Sequence, residues 1–366
     1  MVWVKTIKGL RPIRGERTSF IPQILAFIVV LIGVGVTFSF LNWLSGFNVI
    51  EVVKTLSAGA FGSAADIGQT LIRMSPILLT SLGLIIAFRC GLWNIGAEGQ
   101  LYLGALGATL IGVYVSGLPA FFHILLAMIV SFLFGGLWAV LSGFFYTKFN
   151  ANLIITTLLS NFIAIFLSYY VLRFHLQSPT MYSPVSKPVL PTAELPIMAE
   201  GTLLHAGILI ALAAAIVVWF IIKRTALGYT IVAIGENQAA AAYGGIRVNR
   251  IILISMLLSG GLAGIAGMGE VLGVQHLLIR DISPNYGFIA IAAALIARLN
   301  PWGTITVSLF FGALLAGGNY LQLIMGVPTP LVGVLVGLFI VFSLLLPIIE
   351  RRFAIIMQPK LKREGQ

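Results

Sequence analysis

Residues Lys223–Arg250, KRTALGYTIVAIGENQAAAAYGGIRVNR, form a charged interruption between two strongly apolar segments, long enough to carry a partner-facing element. Lys223, Arg224, Arg247 and Arg250 outweigh Glu236. Cytoplasmic loops of membrane proteins collect Lys and Arg, so the charge predicts that residues 223–250 lie inside the cell. Glu236-Asn237 can open a helix and Gly244-Gly245 can close one. Between them, Gln-Ala-Ala-Ala-Ala-Tyr offers small side chains that let another protein come close to the backbone. That reads as a docking peg. An ordinary loop with one helical turn has the same length and charge.

Working outward, composition decides the solvent. Of the 366 residues, 59% are hydrophobic and 9% charged, against about 25% charged in a soluble domain. Too few charges remain to cover a water-facing surface, so lipid must surround the chain. A net charge of +11 suggests nucleic acid in a soluble protein. Here the basic residues sit in loops and termini, so sidedness in a membrane explains them and no nucleic-acid partner is expected. One cysteine, Cys90, excludes an internal disulfide, and His123, His175, His205 and His276 show no ligand spacing.

Spanning takes about 20 apolar residues. The uncharged runs predict helices over 18–50, 74–88, two within 99–147 with a turn at Ser116–Pro119, then 149–172 and 201–222. Further helices are predicted over 251–269 and 282–297, with two in 299–349 broken near Gly326–Pro330. The expectation is an all-α integral membrane protein of about ten transmembrane helices with both termini cytoplasmic. Its parts are a basic N-terminus (1–17), a transmembrane region (18–349) and a cytoplasmic tail (350–366). Most Lys and Arg then fall inside, leaving Lys54, Arg73, Arg173, Lys187 and Arg280 outside. The proline-rich segment 173–200 becomes the largest external loop, with a stiff, extended path that caps the outer mouth or simply connects.

Several polar residues lie where a membrane tolerates few. Arg89–Gln100, RCGLWNIGAEGQ, places Asn94, Glu98 and Gln100 among glycines. Such backbone at membrane depth needs protein or a wet cavity around it. Glu98 is either a pathway carboxylate or a helix-starting acid near an interface. Asn161, Glu270 and Asn319 are further pathway candidates, each with a packing role as the alternative. Residues 255–269, SMLLSGGLAGIAGMG, carry Gly260 and Gly264 in a GxxxG that suits close helix packing. A faint internal echo pairs Ser75-Pro76 with Ser283-Pro284, Arg89 with Arg298, and Gly104 with Gly312. Interrupted spans at matching places in two halves point to a transport pathway. No GxxxxGK[ST], HExxH or nucleophile elbow is present, so no catalytic site is assigned.

The run TALGYTIVAIGENQAAAAYGGIRVNR followed by SGGLAGIAG resembles the signature of bacterial ABC importer permeases of the branched-chain amino acid and simple-sugar class. GLWNIGAEGQLYLGAL resembles the nucleoside and simple-sugar branch, in its longer permease subunit. Leu153 departs from that pattern, which leads one to expect glutamate after Asn152. The resemblance implies ABC importer permease architecture in the bacterial plasma membrane, moving a nucleoside or simple sugar by alternating access. It implies a second, homologous permease subunit, a cytoplasmic ABC ATPase that uses ATP and Mg, and an external substrate-binding lipoprotein. No cofactor is expected on this chain itself. It also maps the coupling helix onto Gly235, Glu236, Asn237, Ala240, Ala241, Gly244 and Gly245, in line with the peg. An ion-coupled secondary transporter of a small polar solute is the competing expectation.

Overall fold

The computed structural model describes residues 29, 32–40, 46–345, 349 and 352–353. The basic segment 1–17 and most of the tail 350–366 lie outside them. The chain divides into two units. The first joins Met1–Val49 to Gly337–Gln366. Within it residues 32–40 are helical, and Gly33 faces the ring of Phe342 so closely that a Cβ would lie 2.5 Å from it.

The second unit, Ile50–Val336, carries the main bundle. In chain order the helices are α1 (Val49–Phe61), α2 (Ala64–Arg89), α3 (Ala97–Tyr114), α4 (Ala120–Phe149) and α5 (Leu153–Val171). After them come α6 (Gly207–Arg224), α7 (Ala226–Glu236), α8 (Gln238–Tyr243), α9 (Val248–Gly269), α10 (Tyr286–Ile296), α11 (Pro301–Met325) and α12 (Thr329–Leu344). Wider π turns extend α5 to Leu176 and α9 to Gln275. Among the described residues the protein is all-helical, with isolated β-bridges only. Six helices there are long and apolar enough to cross a membrane: α2, α4, α5, α6, α9 and α11. The shorter α7, α10 and part of α12 are also apolar.

Local chemistry explains most boundaries. Asn152, Thr225 and Asn237 cap α5, α7 and α8 by accepting from backbone N–H groups of the first turn. Asn300 does the same for α11, with Pro301 at the first helical position. Gly326 closes α11 in the left-handed region, at the break expected from the sequence.

Two of the expected spans have other bounds. The helix expected over 74–88 starts ten residues earlier as α2, so Arg73 lies within a span rather than in an external segment. The missed signal is Ser63-Ala-Ala-Asp66, a capping pair: Ser63 Oγ accepts from the Asp66 N–H and donates to its carboxylate. The span expected over 282–297 shrinks to α10, whose 11 residues reach only about 16 Å at 1.5 Å per residue. The interval Ile282–Asn285 is not helical because Asn285 takes φ +68°.

On α4 the buried face is made mostly of small residues, from Ala127 to Gly143, and the large ones face out. α9 packs along α4, α3 and α2. A Cβ on Gly264 would lie 2.1 Å from the Ser131 carbonyl oxygen of α4, and one on Gly104 of α3 would lie 2.2 Å from Gly264 Cα. Lipid gives no hydrophobic force between helices, so this backbone approach supplies the contact. The outer faces of α4 and α5 expose Phe121, Leu137, Phe162 and Phe166 instead. Segment 173–200 closes the end of the bundle far from α8. Its backbone bonds Gly112, Leu272, His276 and Leu278, through Leu190, Leu195, Val189 and Ser186.

Candidate functional site

The stretch 223–250 folds as two helices rather than one. α7 follows α6 after a reversal at Thr225, and α8 follows α7 after Asn237. The short helix foreseen between Asn237 and Gly244 is α8. Asn237 Oδ1 accepts from Ala239 N at 3.0 Å and Ala240 N at 3.2 Å. Gly244 ends the helix and Gly245 turns the chain at φ +84°. Glu236, Asn237, Ala240, Gly244 and Gly245 are exposed, and Tyr243 is 97% exposed. Ala241 differs: at 6% exposure it is the footing of the knob, not a contact surface. Gly235 also faces the protein on one side, since a Cβ there would lie 2.0 Å from the Arg89 carbonyl oxygen.

The second cluster lies in the bundle. After α2 the chain runs without helix through Leu92–Gly96 and enters α3 with Glu98 in its first turn. Asn94 and Gln100 exchange two side-chain hydrogen bonds of 3.0 Å, and Asn94 also donates to Ser259 Oγ at 3.0 Å. Asn161 accepts from Gly99 N at 2.8 Å and donates to the Ile95 carbonyl at 2.8 Å. Thr157 accepts from Ile95 N. Asn94, Gln100 and Asn161 therefore hold a non-helical segment inside the bundle, where each backbone group needs a partner.

Glu98, 2% exposed, accepts from Gly287 N at 2.6 Å, at the start of α10. A carboxylate there meets the positive end of a helix whose first N–H groups have no internal partner. Glu270, 4% exposed, shares Tyr286 with Arg73 of α2. Two carboxylates and one guanidinium thus surround the first turn of α10. Sequence reading picked both acids but not Tyr286 or Arg73, whose roles come from segments far apart in the chain. Asn319 is not brought to this cluster; it is exposed on α11. A small cavity beside the cluster is lined by Ser75, His205 and Glu270, and Ser75 Oγ and His205 Nε2 have no protein partner.

The sequence echo has a structural counterpart. α2 and α10 lie side by side and point the same way: Ser81 Oγ donates to the Ala290 carbonyl at 3.1 Å, and Arg89 reaches Leu299 at their common end. Ser75-Pro76 sits within α2, however, while Ser283-Pro284 precedes α10.

A bundle of membrane-length helices that encloses a non-helical segment and buried carboxylates, with a capped knob at one end, fits a multi-pass membrane transport subunit. The chain belongs to the family described as branched-chain amino acid transport system / permease component, which it matches over residues 66–344. It is 32% identical over 335 residues to the guanosine ABC transporter permease protein NupP of Bacillus subtilis, covering 88% of this chain and 91% of that one. It is 35% identical to the glucose ABC transporter permease protein TsgB13 of Haloferax volcanii, covering 80% and 78%. To the nucleoside ABC transporter permease protein NupB of Lactococcus lactis it is 28% identical, covering 94% of both. A second guanosine permease of the same Bacillus strain, NupQ, and a second nucleoside permease of the same Lactococcus strain, NupC, match at 27% and 25%. No solved structure matches the chain. The chain is an ABC transporter permease, and the ion-coupled alternative finds no support.

Proposed function

We propose that this permease moves a nucleoside or simple sugar inward by alternating access, driven by a separate ATPase that docks on α8. The substrate class rests on NupP, NupB and TsgB13, whose names specify guanosine, nucleosides and glucose. The occurrence of permeases in pairs, NupP with NupQ and NupB with NupC, supports a second, homologous permease subunit. An external binding lipoprotein would deliver the solute at the end closed by segment 173–200. ATP and Mg would be used by the ATPase, with no cofactor on this chain. Asn94, Glu98, Gln100, Asn161 and Glu270 would then support the path, Asn94, Gln100 and Asn161 as scaffold and Glu98 and Glu270 at the α10 start. Asn319 would contribute from a separate face.

One observation carries the docking role: α8 is a capped helix of small residues whose outer face is bare and whose footing is Ala241. Cys90 is buried and is the chain's single cysteine, so Ala239→Cys gives a usable crosslinking site. In vesicles holding the full transporter, the thiol introduced by Ala239→Cys should crosslink to the ATPase. Ala240→Arg should abolish both crosslink and uptake while leaving membrane insertion intact. Uptake unchanged in Ala240→Arg, or labelling of the Ala239→Cys variant from the external medium, would remove the docking role.

A further inference from the structure

We infer that Arg89 is a positioning residue that transmits movement of the α7–α8 knob to the turn between α10 and α11. The inference deepens the proposed function and rests on α8 being the ATPase contact.

Arg89 touches both elements with different parts of itself. Its guanidinium donates from Nε at 3.1 Å and from Nη2 at 2.7 Å to one acceptor, the Leu299 carbonyl oxygen. Its own carbonyl oxygen faces Gly235, where a Cβ would stand 2.0 Å away, and Gly91 approaches Gly235 from the same side. Gly235 is the penultimate residue of α7, and Asn237, the cap of α8, follows two positions later. A knob displaced towards α2 therefore presses directly on the Arg89 backbone.

The turn it reaches is strained. Arg298 and Leu299 are consecutive non-glycine residues with φ of +54° and +56°. Side chains with a Cβ disfavour that region, and runs of it persist only where the surroundings hold them. Backbone bonds from Arg298 N to Leu295 and from Leu299 N to Ala294, each 2.9 Å, supply part of the hold. The forked bond from Arg89 adds a hold from another helix. A planar guanidinium offers two donors in a fixed geometry, which lysine does not. Because the acceptor is a neutral carbonyl and not a carboxylate, release strands no buried counter-charge. At its far end α10 presents Gly287 to Glu98, so a shift of the turn is carried along a short rod to the buried carboxylates.

The test uses the complete transporter in proteoliposomes and reads solute moved per ATP hydrolysed, beside the ATPase crosslink made through Ala239→Cys. Arg89→Gln should lower that ratio by about tenfold, the ordinary size of a coupling between sites, with the crosslink unchanged. Arg89→Lys, which keeps the charge and one donor, should fall between. Adding Leu299→Gly to Arg89→Gln should recover none of the ratio, because glycine adopts the left-handed conformation without being held but restores no link to the knob. A normal ratio in Arg89→Gln, or recovery in the double variant, which would show that Arg89 only holds the turn, would overturn the inference. A crosslink missing already from the protein that retains Arg89 would instead sink the docking reading on which it stands.

Discussion

Replacing Gly264 with alanine tests the packing that holds the bundle together. The new Cβ would start 2.1 Å from the Ser131 carbonyl oxygen, while ordinary Cβ contacts begin at 3.4 Å, so α4 and α9 must part by 3.4 − 2.1 = 1.3 Å. Backbone is the obstacle, and no side chain can swing away. Gly104 of α3 presses on the same residue, so relief towards α3 is also blocked. Overpacking of this kind costs about 1–3 kcal/mol, offset by up to about 1 kcal/mol of better helix propensity. Gly269, at the end of the same helix, is the internal control, since nothing lies within 4 Å of a Cβ there and its φ is −57°. Gly269→Ala should be neutral or stabilising by up to about 1 kcal/mol. The assay is thermal unfolding of the purified protein in one detergent, followed by loss of the monodisperse peak. Equal behaviour of the two variants would refute the claim that backbone approach at Gly264 organises α3, α4 and α9.

Asn237→Ala should cost about 1 kcal/mol by uncapping α8, and a six-residue helix has little else to hold it; faster hydrogen exchange at Ala239 and Ala240 with weakened uptake would confirm this. Glu98→Ala should leave the buried Gly287 N–H without an acceptor and lose about 1–3 kcal/mol, whereas Glu98→Gln keeps an acceptor and should fold nearly as well; equal thermal stability of the two would contradict the capping role. Asn161→Leu removes the bonds to Gly99 and Ile95 together. It should therefore reduce folded yield even without substrate, and normal yield with altered uptake would point to direct solute contact instead.

Much of the site was legible because its signals are local. The helix in the knob could be read from Asn237 and the glycine pair, since capping and positive φ depend on residues within one turn. Glu98 and Glu270 stood out because acids are rare in apolar runs. Arg73 was misplaced because a charge reads as external along the chain, and the polar residues near it in the fold, Glu270 and Tyr286, lie some 200 residues further on. α7 was missed because its apolar residues sit inside a stretch whose charged ends dominate the reading.

By itself, the sequence determined the solvent, the helical class, the positions of most breaks and the residues able to form a knob. Those follow from hydrophobicity and short-range backbone chemistry, which act along the chain. Only the tertiary structure decided that α10 is a half-length helix begun on buried carboxylates, that Asn94 and Asn161 brace a non-helical segment, and that Arg89 bridges α7 and the Leu299 turn. Each depends on groups far apart in sequence satisfying one another where water is absent, and spacing along one chain carries no record of that.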